Sequence, residues 1–140
     1  DWPKVNPEFI NNEINEKWDK IISLREIATR SIEPVRAEKR IGSSLEASVF
    51  INISNRSDME QILKSVENEL SAIFITSKAV LTEHPPKDVD ILNQTEEDGY
   101  IIYVTPAFGE KCERCWKYSE ETGINKEHKT ICPACIRAIS

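Results

Sequence analysis

Four cysteines are the residues of this 140-residue chain whose type and spacing point most directly to chemistry. They form two Cys-x-x-Cys pairs with sixteen residues between the pairs: Cys112, Cys115, Cys132 and Cys135. Two intervening residues let both thiolates of one turn face a single ion, and a second turn completes a tetrahedron. The spacing therefore predicts one zinc ion bound by four thiolates. Because the protein would supply all four ligands, the metal is expected to hold structure and to take no part in catalysis.

Three other interpretations of the cysteines remain open from the residues alone. Disulfides are disfavoured because the chain has no signal-peptide character at its start, and paired Cys-x-x-Cys in a charged chain is more typical of a metal site. A four-thiolate iron site is disfavoured because glycine usually follows the second cysteine of each turn in such sites, whereas Trp116 and Ile136 stand there. Unligated buried cysteines are the least expected, given the spacing.

Basic and aromatic side chains surround the first cysteine pair, namely Arg114, Trp116, Lys117 and Tyr118. Such a mixture on a rigid turn suits stacking on unpaired bases and contacts with phosphates. The alternative is that Trp116 and Tyr118 cover the metal and form the small core of this part of the chain. From the residues alone, the covering role is favoured for at least one of the two aromatic rings.

No catalytic constellation accompanies the cysteines. The two histidines, His84 and His128, have no neighbouring nucleophile or carboxylate motif that would suggest a triad. The chain has only four glycines and no glycine-rich phosphate loop. We therefore expect this chain to carry no active site of its own.

Composition and charge indicate a soluble globular protein, with 39% hydrophobic and 30% charged residues. The net charge of −6 argues against nonspecific nucleic-acid binding, and acidic residues concentrate in a predicted solvated loop at 83–99. No apolar run is long enough for a membrane span, so we expect a cytoplasmic protein. The first residue is Asp1 and not methionine, which suggests a fragment of a longer protein.

A long helix is predicted from Glu8, because apolar residues recur at three- and four-residue steps with Trp18 as their expected anchor. Pro34 is expected to kink or restart this helix, and Gly42 to cap its C-terminus. Three cations then fall in the last turns, where the helix dipole favours positive charge. These cations are Arg36, Lys39 and Arg40.

The middle of the chain predicts a small α+β unit. Alternating apolar residues predict a strand at 47–53, and a capping box at 57–60 starts a second, amphipathic helix. Further strands are predicted at 72–76, 79–82 and 100–105. The expected fold class is α+β, with a long N-terminal helix, a small mixed sheet covered by the second helix, and a C-terminal four-cysteine zinc ribbon or knuckle. The predicted domains are 1–44, 45–106 and 107–140.

Two stretches resemble bacterial isoleucyl-tRNA synthetase. The segment 38–47, Glu-Lys-Arg-Ile-Gly-Ser-Ser-Leu-Glu-Ala, resembles the stretch that follows the anticodon-binding helices of that family. The segment 110–118, together with Cys-Pro-Ala-Cys at 132–135, is similar to the C-terminal zinc finger of the same family. DNA glycosylases of the formamidopyrimidine type carry a related finger, and the segment 38–47 separates the two families.

The resemblance implies the C-terminal appendage of an ATP-dependent ligase that joins isoleucine to its tRNA, with 1–44 continuing the anticodon-binding region. Catalysis, and with it ATP binding, would belong to domains upstream, and this part would help to hold the anticodon end of the tRNA. The implied partners are isoleucine tRNA and the upstream domains, with a monomeric ligase expected. The RNA surface is expected at the first cysteine turn, extended by the three helix cations. The alternatives are a DNA glycosylase finger and a structural protein–protein module, which the acidic net charge favours.

Overall fold

A computed structural model describes the chain from Asp1 to Ser140 and confirms the α+β class. The helices are α1 (Asn12–Ala37), α2 (Glu60–Lys64), α3 (Leu70–Ile73) and α4 (Pro133–Ile139). The strands are β1 (Ala47–Asn52), β2 (Lys78–Thr82), β3 (Asn93–Glu97), β4 (Tyr100–Pro106), β5 (Glu110–Lys111) and β6 (Tyr118–Ser119). Short 3-10 helices cover Pro7–Phe9, Ser44–Glu46, Ser57–Met59 and Glu67–Glu69. No helix combines the length and the apolar composition needed to cross a bilayer.

The first four strands form one mixed sheet in the order β2-β1-β4-β3. β1 pairs in parallel with β2 and antiparallel with β4, and β3 pairs antiparallel with β4. A parallel pair needs a crossover connection, which here contains α2 and α3. β5 and β6 form a separate two-stranded hairpin that leads into the cysteine-rich part of the chain.

One apolar core joins α1, the crossover and the sheet. The second half of α1 contributes five buried residues to it: Leu24, Ile27, Ala28, Ile32 and Val35. Met59 and Leu63 of the crossover, and Val49 and Ile102 of the central strands, pack in the same cluster. The core thus contains residues on both sides of position 44, and the division into domains at 44 and 106 stays a proposal.

The predicted restart of the long helix at Pro34 is wrong, because α1 continues through Pro34 to Ala37. Proline keeps a helical φ and removes one backbone donor, and the buried neighbours Ile32 and Val35 hold the turn against the core. The predicted cap at Gly42 is also wrong. Lys39 adopts the left-handed conformation (φ 58°), its N–H bonds the Arg36 carbonyl at 2.9 Å, and the next N–H reaches the Val35 carbonyl.

Trp18 does not anchor the start of this helix. Its side chain is 40% exposed, and burial along α1 begins only at Ile21. The helix itself starts at Asn12, where the Asn11 side chain accepts a hydrogen bond from the Ile14 N–H at 3.1 Å. The N-terminal half of α1 therefore presents an apolar stripe that nothing in this chain covers.

The crossover differs most from expectation. The apolar run 72–76 is not a strand: it contains the end of α3 and a reversal at Ile75, whose φ is 56°. The predicted second helix is broken into α2, α3 and two 3-10 turns, and the Ser57 side chain makes no capping bond. The strand β3 lies inside the segment expected to be a loop. Its polar residues suit an edge strand, so they lack the continuous apolar pattern of β1.

Candidate metal centre and its surface

The zinc module, residues 107–140, positions the two cysteine pairs on a hairpin and a helix start. Cys112 directly follows β5, and its N–H donates to the Lys117 carbonyl at 2.8 Å. The Trp116 N–H donates to the Cys112 carbonyl at 2.8 Å, which closes the first turn. Cys132 caps α4 and Cys135 lies in its first turn, so one helix N-terminus presents both sulfurs of the second pair.

The four sulfur atoms have the spacing of a tetrahedral metal site. All four Sγ atoms lie within 4.8 Å of one another. The Cys115 and Cys132 sulfurs are 3.7 Å apart, against about 3.8 Å for two corners of a tetrahedron with metal–sulfur bonds of about 2.3 Å. A disulfide needs a separation near 2.05 Å, and all four cysteines are free, so the disulfide interpretation is wrong.

The environment of the sulfurs also fits a bound cation. Burial opposes ionisation of Cys112, but N–H groups of Cys115, Cys132 and Arg114 outweigh it and lower the pKa of the Cys112 thiol to about 6. Burial raises the pKa of Cys115 to about 12, and it raises the pKa of Cys132 as well. A divalent ion would supply the positive charge that four thiolates in such a small volume require.

The Arg114 guanidinium lies between the metal centre and solvent. Its Nη1 donates to the Cys135 sulfur at 3.5 Å, and this hydrogen bond raises the pKa of the guanidinium above its ordinary value. The residue remains exposed on its other side. Arg114 thus balances thiolate charge while leaving donors open to solvent.

The two aromatic residues of the first turn have different surroundings. Trp116 is 62% exposed and adopts the left-handed conformation, with φ 66°. The Lys111 ammonium lies 5.3 Å from the centre of the Trp116 ring. Tyr118, the first residue of β6, is half-buried, and so is Lys117 directly before it. The covering role that the residues alone favoured for at least one ring therefore does not apply to Trp116.

Of the three cations expected in the last turns of the long helix, only Arg36 lies in α1, because the helix ends at Ala37 and Lys39 and Arg40 follow it. None of the three is joined to the surface of the first cysteine turn by a hydrogen bond or ion pair. Arg36 pairs with Glu33 at 2.8 Å on the same helix. Arg40 donates to the Leu92 carbonyl at 2.9 Å and lies 3.8 Å from the Asp90 carboxylate. Lys39, at the left-handed cap position, is exposed and has no ion pair. Arg40 thus ties the end of α1 to the loop before β3.

Two residues near the first turn were missed by sequence reasoning. Lys111 was not part of the predicted RNA surface, although its position directly before Cys112 was a usable signal. Ser77 accepts a hydrogen bond from the Tyr118 N–H at 2.7 Å. No pattern in the sequence signals that contact, because 41 positions separate the two residues.

Residues 109–138 match the family model described as a zinc finger found in FPG and IleRS. This match, with the four-sulfur geometry, defines the C-terminal part of the chain as a zinc finger and favours zinc over iron. The sheet and long helix in front of it belong to the same region of similarity, as comparison with whole relatives shows.

Nearly the whole chain is similar to isoleucine–tRNA ligases. It is 45% identical over 137 residues to the ligase of Caldanaerobacter subterraneus subsp. tengcongensis, covering 96% of this chain and 14% of the relative. It is 38% identical over 141 residues to that of Moorella thermoacetica, covering 99% and 15%. The Geobacter sulfurreducens ligase is 36% identical over 138 residues, covering 99% and 14%.

The predicted resemblance is thereby confirmed. Over 96 to 99% of its length the chain is similar to part of isoleucine–tRNA ligases, and its last thirty-odd residues match the zinc finger found in that family. It spans 14 to 15% of the length of these relatives.

Proposed function

We propose that this chain is the C-terminal appendage of an isoleucine–tRNA ligase and that it binds the anticodon side of isoleucine tRNA. The observation that carries the proposal is the exposed Trp116 ring beside Lys111, held out on a turn that the cysteines organise. An exposed indole flanked by a cation is suited to stack on an unpaired base while the cation meets a phosphate. ATP-dependent chemistry would take place in the upstream domains, in the cytoplasm, on a monomeric ligase.

One structural zinc ion is proposed to be held by Cys112, Cys115, Cys132 and Cys135. The module has a second buried cluster that consists of cysteines alone, with Ile131 packed against it. So small an apolar cluster does not stabilise thirty-odd residues by itself, and metal–thiolate bonds would supply most of the folding free energy. The metal would therefore act on tRNA binding only by shaping the turn.

The proposed RNA surface consists of the first cysteine turn and its neighbours: Lys111, Arg114, Trp116, Lys117 and Tyr118. Zinc with four thiolates carries about −2 charges, which Arg114 offsets in part. Binding by this chain alone is therefore expected to be weak and sensitive to salt. Among the helix cations, Lys39 is the best candidate for an extension, because Arg36 and Arg40 already have carboxylate neighbours.

The β3 edge of the sheet, opposite the β2 edge, is unsuited to RNA. Glu97 on β3 pairs with Arg30 at 2.6 Å, and Asp98 pairs with Arg56 at 2.8 Å. These arginines are engaged by carboxylates, and further acidic residues in 83–99 remain exposed. Phosphates would be repelled there, which leaves the zinc module as the side of approach.

A second role, contact with the upstream domains, is favoured by the apolar stripe before and along the start of α1. Trp2 is 95% exposed and Phe9 83%, and Ile14 and Trp18 continue the exposed surface. Exposed apolar residues in this number mark an interaction surface more often than a free one. We propose that the stripe packs on the preceding part of the ligase.

Binding assays with isoleucine tRNA, a different tRNA and duplex DNA, each at two salt concentrations, test the function. A tRNA-binding appendage should prefer isoleucine tRNA at both salt concentrations. A glycosylase-type finger should prefer duplex DNA. If no nucleic acid binds and the full-length ligase without residues 107–140 charges tRNA normally, the chain is a structural module and the RNA proposal is wrong.

A further inference from the structure

One serine hydroxyl connects the zinc module to the sheet. Ser77 lies directly before β2 and is half-buried. Its Oγ accepts a hydrogen bond from the Tyr118 N–H at 2.7 Å and donates one to the Leu45 carbonyl. This is the single side-chain hydrogen bond between residues 107–140 and the rest of the chain. Both the donor and the acceptor capacity of the hydroxyl are thus used at the joint.

The Ser77 hydroxyl is linked through Tyr118 to the first cysteine turn, which carries Trp116. Tyr118 is bonded in sequence to Lys117, whose carbonyl accepts the Cys112 N–H. Trp116 closes the same turn through the Cys112 carbonyl. A continuous series of bonds therefore runs from Leu45, in the 3-10 turn before β1, through Ser77 and Tyr118 to the first cysteine turn.

One backbone hydrogen bond also crosses the joint, from the Ala107 N–H to the Glu46 carbonyl at 2.8 Å, where the chain enters the module. The remaining contacts across the joint are less directional. The Lys78 ammonium lies 5.2 Å from the Phe108 ring centre and 4.0 Å from the Glu120 carboxylate. Phe108 meets Phe50 edge-on at 6.3 Å between ring centres. Exposed ion pairs of this length contribute little, and aromatic contacts tolerate tilting. A cleft of about 280 Å³ beside Ser77 leaves room for the module to tilt.

We propose that Ser77 is a positioning residue for tRNA binding. Its hydroxyl sets the tilt of the zinc module on the sheet, and thereby the direction in which Trp116 faces the RNA. The proposal rests on the function proposed above. Ser77 belongs neither to the metal site nor to the apolar core, so removal of the hydroxyl should leave both intact.

The test compares three variants of the full-length ligase: Ser77→Ala, Ser77→Thr and the control Ser71→Ala. Ser71 is a half-buried serine of α3 whose hydroxyl makes no hydrogen bond, so it matches the change in composition. Ser77→Ala should raise the KM for tRNA about threefold to tenfold, the effect of one neutral hydrogen bond, with isoleucine activation unchanged. Ser77→Thr, which keeps the hydroxyl, and Ser71→Ala should behave like wild type.

Amide hydrogen exchange at Tyr118 in the 140-residue chain and zinc content provide independent readouts. Exchange at Tyr118 should be faster in Ser77→Ala than in Ser77→Thr, with one zinc retained in both. Zinc loss in Ser77→Ala would make the residue part of the metal module's fold and overturn the positioning role. An unchanged KM in Ser77→Ala overturns it too. If Trp116→Ala raises the KM in that case, the RNA surface stands without Ser77; if neither variant does, the surface itself is wrong.

Discussion

Replacing Trp116 with alanine is the most direct test of the proposed RNA surface. A base stacked on an aromatic ring contributes roughly 1–3 kcal/mol, which corresponds to about a 5- to 150-fold rise in the KM for tRNA when the ring is removed. The ring is 62% exposed, and its main partner is the Lys111 ammonium at 5.3 Å. Its loss should therefore change the stability of the module by only about 0.5–1 kcal/mol.

Because the backbone at Trp116 is left-handed, a glycine variant can separate the effect of the ring on tRNA binding from its effect on folding. With φ at 66°, alanine is as strained there as tryptophan, whereas glycine relieves the strain. Trp116→Gly should keep the turn at least as stable as Trp116→Ala and should raise the KM for tRNA equally. Ile124→Ala serves as the control, because Ile124 is a 72% exposed apolar residue of the same module outside the proposed surface.

The assay measures tRNA charging by the full-length ligase, isoleucine-dependent ATP–pyrophosphate exchange, and bound zinc. The KM for tRNA should rise in both Trp116 variants and stay unchanged in Ile124→Ala, with exchange and zinc content equal throughout. The reasoning is refuted if both Trp116 variants retain zinc and charge tRNA with a KM within twofold of wild type. Loss of zinc in both variants would instead make Trp116 part of the module's fold.

Four further outcomes follow from the same structure. Cys115→Ser should abolish zinc binding and unfold the zinc module, while the sheet and α1 stay folded because they share a separate apolar core. Metal analysis and circular dichroism measure the two effects. Zinc affinity should rise with pH, since the Cys115 and Cys132 thiols, whose pKa values are raised by burial, must lose protons on binding; calorimetry in buffers of different ionisation enthalpy measures that release. Gly109→Ala should destabilise the module by at least about 1 kcal/mol in thermal unfolding, because φ is 80° there and a Cβ would lie 2.3 Å from the Glu120 nitrogen. The 140-residue chain should form no isoleucyl-adenylate in a purified exchange assay, and activity that survives removal of host ligase would contradict the assignment of chemistry to upstream domains.

The cysteine pairs and the strands with strong local patterns were predictable from the sequence. Ligand spacing within a turn is a local property, so Cys112 and Cys115 indicated a metal site without any knowledge of the fold. The central strands β1 and β4 were equally clear, because apolar and β-branched residues leave few alternatives for so short a run. The resemblance at 38–47 added the family, which spacing alone did not distinguish from a glycosylase finger.

Only tertiary structure decided which equally apolar segments become helix or strand, and which aromatic rings face solvent. The apolar pattern of 72–76 predicts a buried strand, yet this run contains the end of α3. The chain reverses direction at Ile75, so that the next residues can pair with β1 as strand β2. Trp18 and Trp116 look like core residues by type, but both are exposed. Burial depends on what packs against a side chain, and that partner lies far away in sequence. For the same reason the role of Ser77 could not be predicted from the sequence. Its hydrogen-bond partner, the Tyr118 N–H, is 41 positions away, and the two meet only because the zinc module packs against the sheet.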